Sequence, residues 1–249
     1  MRNYMVTVER FISAEGPAIR ACGFVTRDLA HFHGVPHTTV LIVPVRVVES
    51  GKGKNDGKKK DEARIEILNH RRPIEKKVSP DTWDTFGGHV EVSIEGGTIL
   101  SPGDKIEDSS VLHQLIDLTA IREANEEIKI SEFQFTEKDV HRFGGYGDFE
   151  CGTHDSAAEN VEYSTLYVAV VPSRAISIAA QDTVGRGGVE VEVTDLKLRS
   201  SALEDLLTEY SKKPSEYADG LGRILEQLVR VPGTRRSFES FLKALTQGV

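Results

Sequence analysis

Residues 120–130 read AIREANEEIKI, and within them Arg122, Glu123, Glu126 and Glu127 place four charges on little more than one helical turn. On a helix Glu123 and Glu127 are i,i+4 neighbours and Glu126 is i+3 from Glu123, so all three carboxylates can turn toward one small volume. If they are merely solvated, like charges at that spacing cost about 0.2–0.5 kcal/mol per pair. Grouped carboxylate oxygens are what a hard cation such as Mg²⁺ or Mn²⁺ requires. Arg122 can reach Glu126, or hold a neighbouring loop through a charge-assisted bond. A solvated face is the competing reading of any Glu-rich helix, and the residues upstream decide between the two.

The elements that must position this group can be read from periodicity. Val111, Leu112, Leu115, Ile116, Leu118, Ile121, Ala124 and Ile128 recur at helical spacing. They predict a helix opened by Asp108 or Ser109 as N-cap and closed near Lys129. Upstream, HTTVLIVPVRVV (37–48) predicts a buried central strand, GKGKNDGKKKDE (51–62) a hairpin loop and ARIEILNHRR (63–72) a half-buried return strand. WDTFGGHVEV (83–92) is a short strand interrupted by Gly87 and Gly88, and 93–110 an irregular surface loop. Downstream, FQFTEKDVHRFGG and VEYSTLYVAVVP predict strands, and 187–200 a further strand and turn. SALEDLLTEYS predicts a helix with Ser201 and Glu204 at capping-box spacing, and 215–230 and 237–247 two more. Strands and helices alternate without a composition break or internal repeat, which favours one mixed α/β domain.

GGHVE at 87–91, then a loop, then REANEEIKI at 122–130 resembles the Nudix box of Nudix hydrolases. That motif runs Gly, five residues, Glu, seven residues, Arg-Glu-aliphatic-x-Glu-Glu-x-Gly-aliphatic. The resemblance covers roughly residues 37–230. It implies an α/β/α sandwich with a mixed sheet and the box as a loop–helix–loop. It also implies a domain over 37–230 with an insertion near 93–112, and segments 1–36 and 231–249 packed on the same domain. The implied activity is metal-dependent hydrolysis of a diphosphate bond in a nucleoside diphosphate linked to another moiety. Mg²⁺, with Mn²⁺ as the alternative, would be held by Glu123, Glu126, Glu127 and the backbone carbonyl of Gly87. Glu126, Glu127 and Arg122 would form the catalytic group. Glu126 is the first choice as general base, and Glu150, Glu159 and Glu162 are the distant acids that could replace it. The implied partner is a small-molecule diphosphate, a nucleotide derivative, and a homodimer is common among such relatives.

The chain departs from the motif in two places. Ile94 stands where the first Glu belongs, and counted back from Arg122 that position is Gln114; the gap between the two halves is about twenty residues too long. Lys129 replaces the closing Gly. Gln114, Glu107 and Asp117 are the candidates to take over from the missing Glu.

A net charge of −8 argues against generic attraction to nucleic acid or anionic membranes, whereas a bound cation lets an acidic protein take phosphate. Two cysteines, Cys22 and Cys151, form no disulfide framework and suit a reduced cytoplasmic setting. The opening MRNYMVTVERFISAEG is too charged for a signal peptide, and no apolar run would span a membrane. His31, His33 and His37 in HFHGVPH read as an exposed polar turn in preference to ligands, and His89 as a candidate site contact. Trp83, Phe86, Tyr146 and Phe149 read as local packing in preference to a base-stacking platform.

Two other readings differ in class. Isopentenyl-diphosphate isomerases share the Nudix fold, and HFHGVPH, GGHVE and ENVEY faintly resemble their His and Glu metal site. Thr85 and Phe86, however, stand where that family places its catalytic Cys. A non-catalytic nucleotide-binding module on the same fold would normally lose box carboxylates, and this chain keeps all three.

Overall fold

The computed structural model describes residues 4–13, 16–48, 64–94, 97–98, 109–151, 154–155, 158–173, 175, 177–186 and 189–246. The 51–62 loop, and most of the 93–110 segment beyond the short strand pair Ser93–Ile94 and Gly97–Thr98, lie outside them. The chain opens with a hairpin, β1 (Tyr4–Ser13) and β2 (Gly16–Thr26), and a short helix, α1 (Arg27–His33). β3 (His37–Val48), β4 (Arg64–Arg71) and β5 (Phe86–His89) follow, then α2 (Ser109–Glu127). Next come β6 (Val140–Phe143), β7 (Glu162–Val171) and β8 (Leu198–Ala202), and the chain closes on α3 (Leu203–Lys212), α4 (Asp219–Arg230) and α5 (Pro232–Thr246).

These strands form one mixed sheet with β3 at its centre. β7 runs parallel to β3 from Glu162↔His37 to Val171↔Arg46. The other edge of β3 is shared, antiparallel, by β1 at His37, β5 over Thr39–Ile42 and β4 over Val45–Val48. Alternation along the central strands feeds two cores. Val40, Ile42, Tyr167 and Ala169 face α2 through Leu112, Leu115, Ile116, Ala120 and Ala124. Val43, Val45, Leu166, Val168 and Val170 face Leu206, Leu221, Ile224, Leu228 and Phe238 of α3, α4 and α5. Burying each such aliphatic side chain is worth about 1.5–3 kcal/mol, so both sheet faces demand a helical layer. The result is the expected α/β/α sandwich with a mixed sheet. No described helix is long and apolar enough to cross a membrane.

Some local expectations fail for physical reasons. Ser201 is no cap: it pairs with Ile67 inside the sheet, and the N-cap of α3 is Ala202, without a side-chain cap bond. FQFTEKD does not extend into a strand, because the Asp139 carboxylate takes the Thr136 N–H at 2.9 Å and its hydroxyl at 2.7 Å, closing a local turn. α2 stops at Glu127, and Lys129 enters a short strand, Ile128–Ile130, that pairs with Ile178–Ala180. Lys129 Nζ reaches back to the Asn125 carbonyl at 2.9 Å, satisfying one of the orphan acceptors at the helix end.

Candidate active site and a neighbouring histidine cluster

The buried face of α2 runs Leu112, Leu115, Ile116, Thr119, Ala120, Glu123, Ala124 in steps of three and four. Glu123 therefore lies in the stripe that the apolar residues drive onto the sheet, and Glu127 follows one turn later. Both carboxylates arrive at β5. Arg122 and Glu126 flank the stripe, so the Glu126 side chain stays 49% exposed where that of Glu123 is 11%.

Three consecutive β5 residues receive the helix. The Gly87 N–H donates to Glu127 Oε2 at 2.8 Å. A methyl group on Gly88 would meet Glu123 Oε1 at 2.3 Å. The His89 carbonyl accepts from Arg122 Nη2 at 3.5 Å. The two glycines are needed for different reasons. Gly87 has φ 144°, and a methyl group there would lie 2.0 Å from the Val40 carbonyl oxygen, so neighbouring backbone forbids a side chain. At Gly88 it is the carboxylate that fills the space.

Arg122 spans two of the acids, with Nη2 2.6 Å from Glu123 Oε1 and Nη1 2.7 Å from Glu126 Oε2. Burial nevertheless pushes the Glu123 carboxyl up to about 7: Arg122 pulls it down, while Glu126 and Glu91 push it further up. Glu127 is raised well above the ordinary range by burial, then by Glu123 and Asp182. Glu123 is buried and Glu127 half-buried, the first disfavours the ionised form of the second, and carboxylate oxygens are the donors a hard cation takes. Glu123 and Glu127 thus offer oxygen donors of the kind Mg²⁺ or Mn²⁺ takes, while Glu126 turns to Arg122. Lys76 and Asp182, paired at 2.8 Å, also act on Glu127, and Arg72 lies beside Asp84 at 2.6 Å. No sequence motif marks these residues, because the sheet brings them in from separate segments.

A second cluster occupies the adjoining rim. His37 and Glu162 are partners at the starts of parallel β3 and β7, His89 ends β5, and His31 comes from α1. Their ligand atoms all lie within 4.8 Å of one another, the one such group of three or more metal-ligating side chains among the described residues. The exposed-turn reading fails for His37, which is fully buried, and for half-buried His31; His33 is exposed but ends helix α1. It failed because strand pairing, which spacing does not reveal, collects the rings. Burial and the neighbouring imidazoles push His31 down to about 4. Burial also lowers His89, against the opposing pull of Glu162.

Other expected residues lie apart from the carboxylates. Gln114 is exposed, and Asp117 accepts from the Tyr146 and Tyr167 hydroxyls at 2.9 and 2.5 Å. Glu107 lies outside the described residues, as do the side chains of Ile94 and Glu159. Glu150 pairs with Arg10 at 3.2 Å. Phe86 and Phe149 are core residues, Trp83 lies buried with Arg199 over its ring at 4.2 Å, and Tyr146 stacks on His113 at 3.7 Å. Cys151 is buried on the α3–α5 side of the sheet and Cys22 is exposed on β2.

No protein-family model and no curated protein matches the chain. Among solved structures it is similar to a mutT/nudix family protein from Listeria innocua, at 16% identity and a TM-score of 0.40 over 82% of this chain and 96% of that one. It is similar to a NUDIX hydrolase from Alicyclobacillus acidocaldarius at 14% identity and a TM-score of 0.41, over 78% and 91% of the two chains. The NUDIX domain of Shewanella oneidensis NrtR, solved with ADP ribose, matches at 14% identity and a TM-score of 0.36, over 76% and 84%. These likenesses are weak, and the residues of the site carry the functional reading on their own. In structure, the chain is similar to Nudix proteins.

Proposed function

We propose that the protein is a metal-dependent hydrolase that cleaves a diphosphate bond in a nucleoside diphosphate linked to another moiety. The observation that carries this reading is the consecutive engagement of Gly87, Gly88 and His89 by Glu127, Glu123 and Arg122. Residues 37–230 form the catalytic unit in this reading, with 1–36 and 231–249 packed on it. Glu123, Glu126, Glu127 and the Gly87 carbonyl are the groups that would hold Mg²⁺ or Mn²⁺. Such an ion, when bound, neutralises phosphate oxygens and acidifies water. Arg122 orients Glu123 and Glu126 through its two short contacts. Glu126, the most exposed of the three acids, is the general base in this reading and takes a proton from water. Glu127, anchored by the Gly87 N–H, keeps its position whichever protonation state it holds.

Isomerase chemistry of the prenyl-diphosphate kind needs a reactive cysteine; Cys22 is exposed on β2, and Cys151, the cross-strand partner of Glu162, is buried with its thiol pushed up to about 12 by burial. The test is a panel of nucleoside triphosphates, sugar nucleotides, dinucleoside polyphosphates and dinucleotide cofactors, incubated with Mg²⁺ or Mn²⁺ and scored for diphosphate cleavage. Turnover of at least one class is expected. No turnover of any, together with isomerisation of a prenyl diphosphate, overturns the proposal.

A further inference from the structure

We propose that His31, His37, His89 and Glu162 form a structural site for a zinc-class divalent ion, separate from the carboxylates of α2, which clamps helix α1 onto the rim of the sheet. Tetrahedral Zn²⁺ with bonds of about 2.0–2.1 Å holds its ligand atoms roughly 3.3 Å apart. Here His31 Nε2 and His89 Nε2 are 3.1 Å apart, and Glu162 Oε1 is 3.8 Å from both His37 Nε2 and His89 Nε2. The cluster therefore needs only small side-chain adjustments to close on an ion.

The surroundings of the ligands point the same way. His37 Nδ1 lies 2.9 Å from the Val35 carbonyl, so that nitrogen carries the proton and Nε2 is left with its lone pair. His37 Nε2 is buried and has no hydrogen-bond partner. A buried acceptor left unpaired costs about 1–3 kcal/mol, and a metal bond removes that cost. Asn160 Nδ2 donates to Glu162 Oε1 at 2.6 Å, the outer-shell support that holds a ligating carboxylate in place. The rings of His31 and His89 both stack against that of His37, with centroids 5.2 and 5.3 Å away, which restricts their planes.

The donor set selects the ion. Three imidazoles and one carboxylate favour borderline ions such as Zn²⁺ and Co²⁺ over Mg²⁺, which prefers oxygen and retains water. Four protein ligands close the coordination shell, as structural zinc sites do. The consequence is mechanical. His37, His89 and Glu162 already belong to neighbouring strands, whereas His31 belongs to α1, so an ion cross-links the N-terminal helix to the sheet.

The test uses the full chain, stripped with a chelator and dialysed against Zn²⁺ in the presence of excess Mg²⁺, with bound metal measured directly. One Zn²⁺ per chain is expected, retained in Glu123→Gln and Glu127→Gln. His31→Ala and Glu162→Gln should each weaken Zn²⁺ affinity by at least about tenfold. Amide exchange in residues 27–33 should slow on adding Zn²⁺ to the wild type but not to His31→Ala, a readout that stands even if Glu162→Gln folds poorly. Absence of stoichiometric Zn²⁺ from the wild type, or its loss from the Glu123 and Glu127 variants but not from His31→Ala, would overturn the proposal. None of these readouts depends on hydrolysis, so the failure of this site and the failure of the hydrolase reading are distinguishable.

Discussion

Glu123 lies against Gly88 so closely that its carboxylate occupies the space of the missing side chain, with Oε1 2.3 Å and Oε2 2.8 Å from where a methyl carbon would stand. The contact joins the Gly-Gly strand end to the Glu-rich helix across the long segment between them. It also makes the glycine doublet asymmetric, because the obstacle at Gly88 is the movable end of a side chain and the obstacle at Gly87 is the Val40 backbone.

Paired alanine substitutions exploit that asymmetry. Gly88→Ala should fold with a stability loss of no more than about 1 kcal/mol, the common size of a point-mutant effect, because Glu123 can swing aside. Hydrolysis should fall by about a hundredfold or more, since a small misplacement of a positioning group carries that cost. Gly87→Ala should lose more than about 2 kcal/mol through backbone strain at a positive φ. Chemical denaturation and steady-state rates on both variants check this, and equal destabilisation by the two would show that Glu123 cannot move.

The raised carboxyl of Glu123 makes both stability and metal affinity depend on pH. Its folded value of about 7 exceeds the ordinary 4.5, so between those values the folded state binds more protons than the unfolded one. The contribution of this group to metal-free stability therefore falls as pH rises from 4.5 to 7. Mg²⁺ requires the ionised carboxylate, so its affinity should rise over the same window. Melting curves at pH 5, 6, 7 and 8 with and without Mg²⁺ should diverge as pH increases. A Mg²⁺ shift in melting temperature that is the same at pH 5 and pH 8 would remove Glu123 from the binding reaction.

Glu66 should show the opposite sign, far from the site. Burial pushes its carboxyl up, but Ser200, Arg46 and Arg64 all bond to it and bring it down to about 2. With a folded value depressed below 4.5, its stabilisation is present above 4.5 and lost as pH falls toward 2. The shift corresponds to about 3 kcal/mol as an upper bound. Glu66→Gln should destabilise the protein at pH 7 by one to three kcal/mol or so and flatten its acid unfolding between pH 4.5 and 2. An unchanged acid limb in the variant would show that the Arg46–Glu66–Arg64 group is not what fails in acid.

How much of this was legible in the sequence varied with the range of the interaction. The period of α2 is local, so the helix and the inward placement of Glu123 and Glu127 follow from spacing alone. Glu126 shares the charge of the motif but lies beside the buried stripe, and Arg122 links it to Glu123. Pairing of β7 with β3 joins residues 125 apart in sequence, as at Glu162 and His37. No periodicity contains that pairing, and without it HFHGVPH reads as a polar turn. Ser201 shows the reverse error, in which a valid local signature yields to the better-satisfied backbone of a sheet.

Glu127→Gln separates a metal ligand from a solvated or merely structural acid. Glutamine retains an oxygen to accept the Gly87 N–H bond, so the anchor of 2.8 Å survives. Burial already disfavours the ionised form of Glu127, and a neutral amide removes that demand along with the repulsion from Glu123 and Asp182. Without metal the variant should therefore melt at the same temperature as the wild type or slightly higher. It should gain less from added Mg²⁺, because that gain follows the logarithm of metal concentration over dissociation constant. Its turnover should fall by about two to three orders of magnitude, the size seen when one group that stabilises transition-state charge is lost. The three outcomes have different signs, and no structural role for Glu127 produces all of them. A variant that keeps near-full turnover and the full Mg²⁺ shift would show that Glu127 is not a ligand.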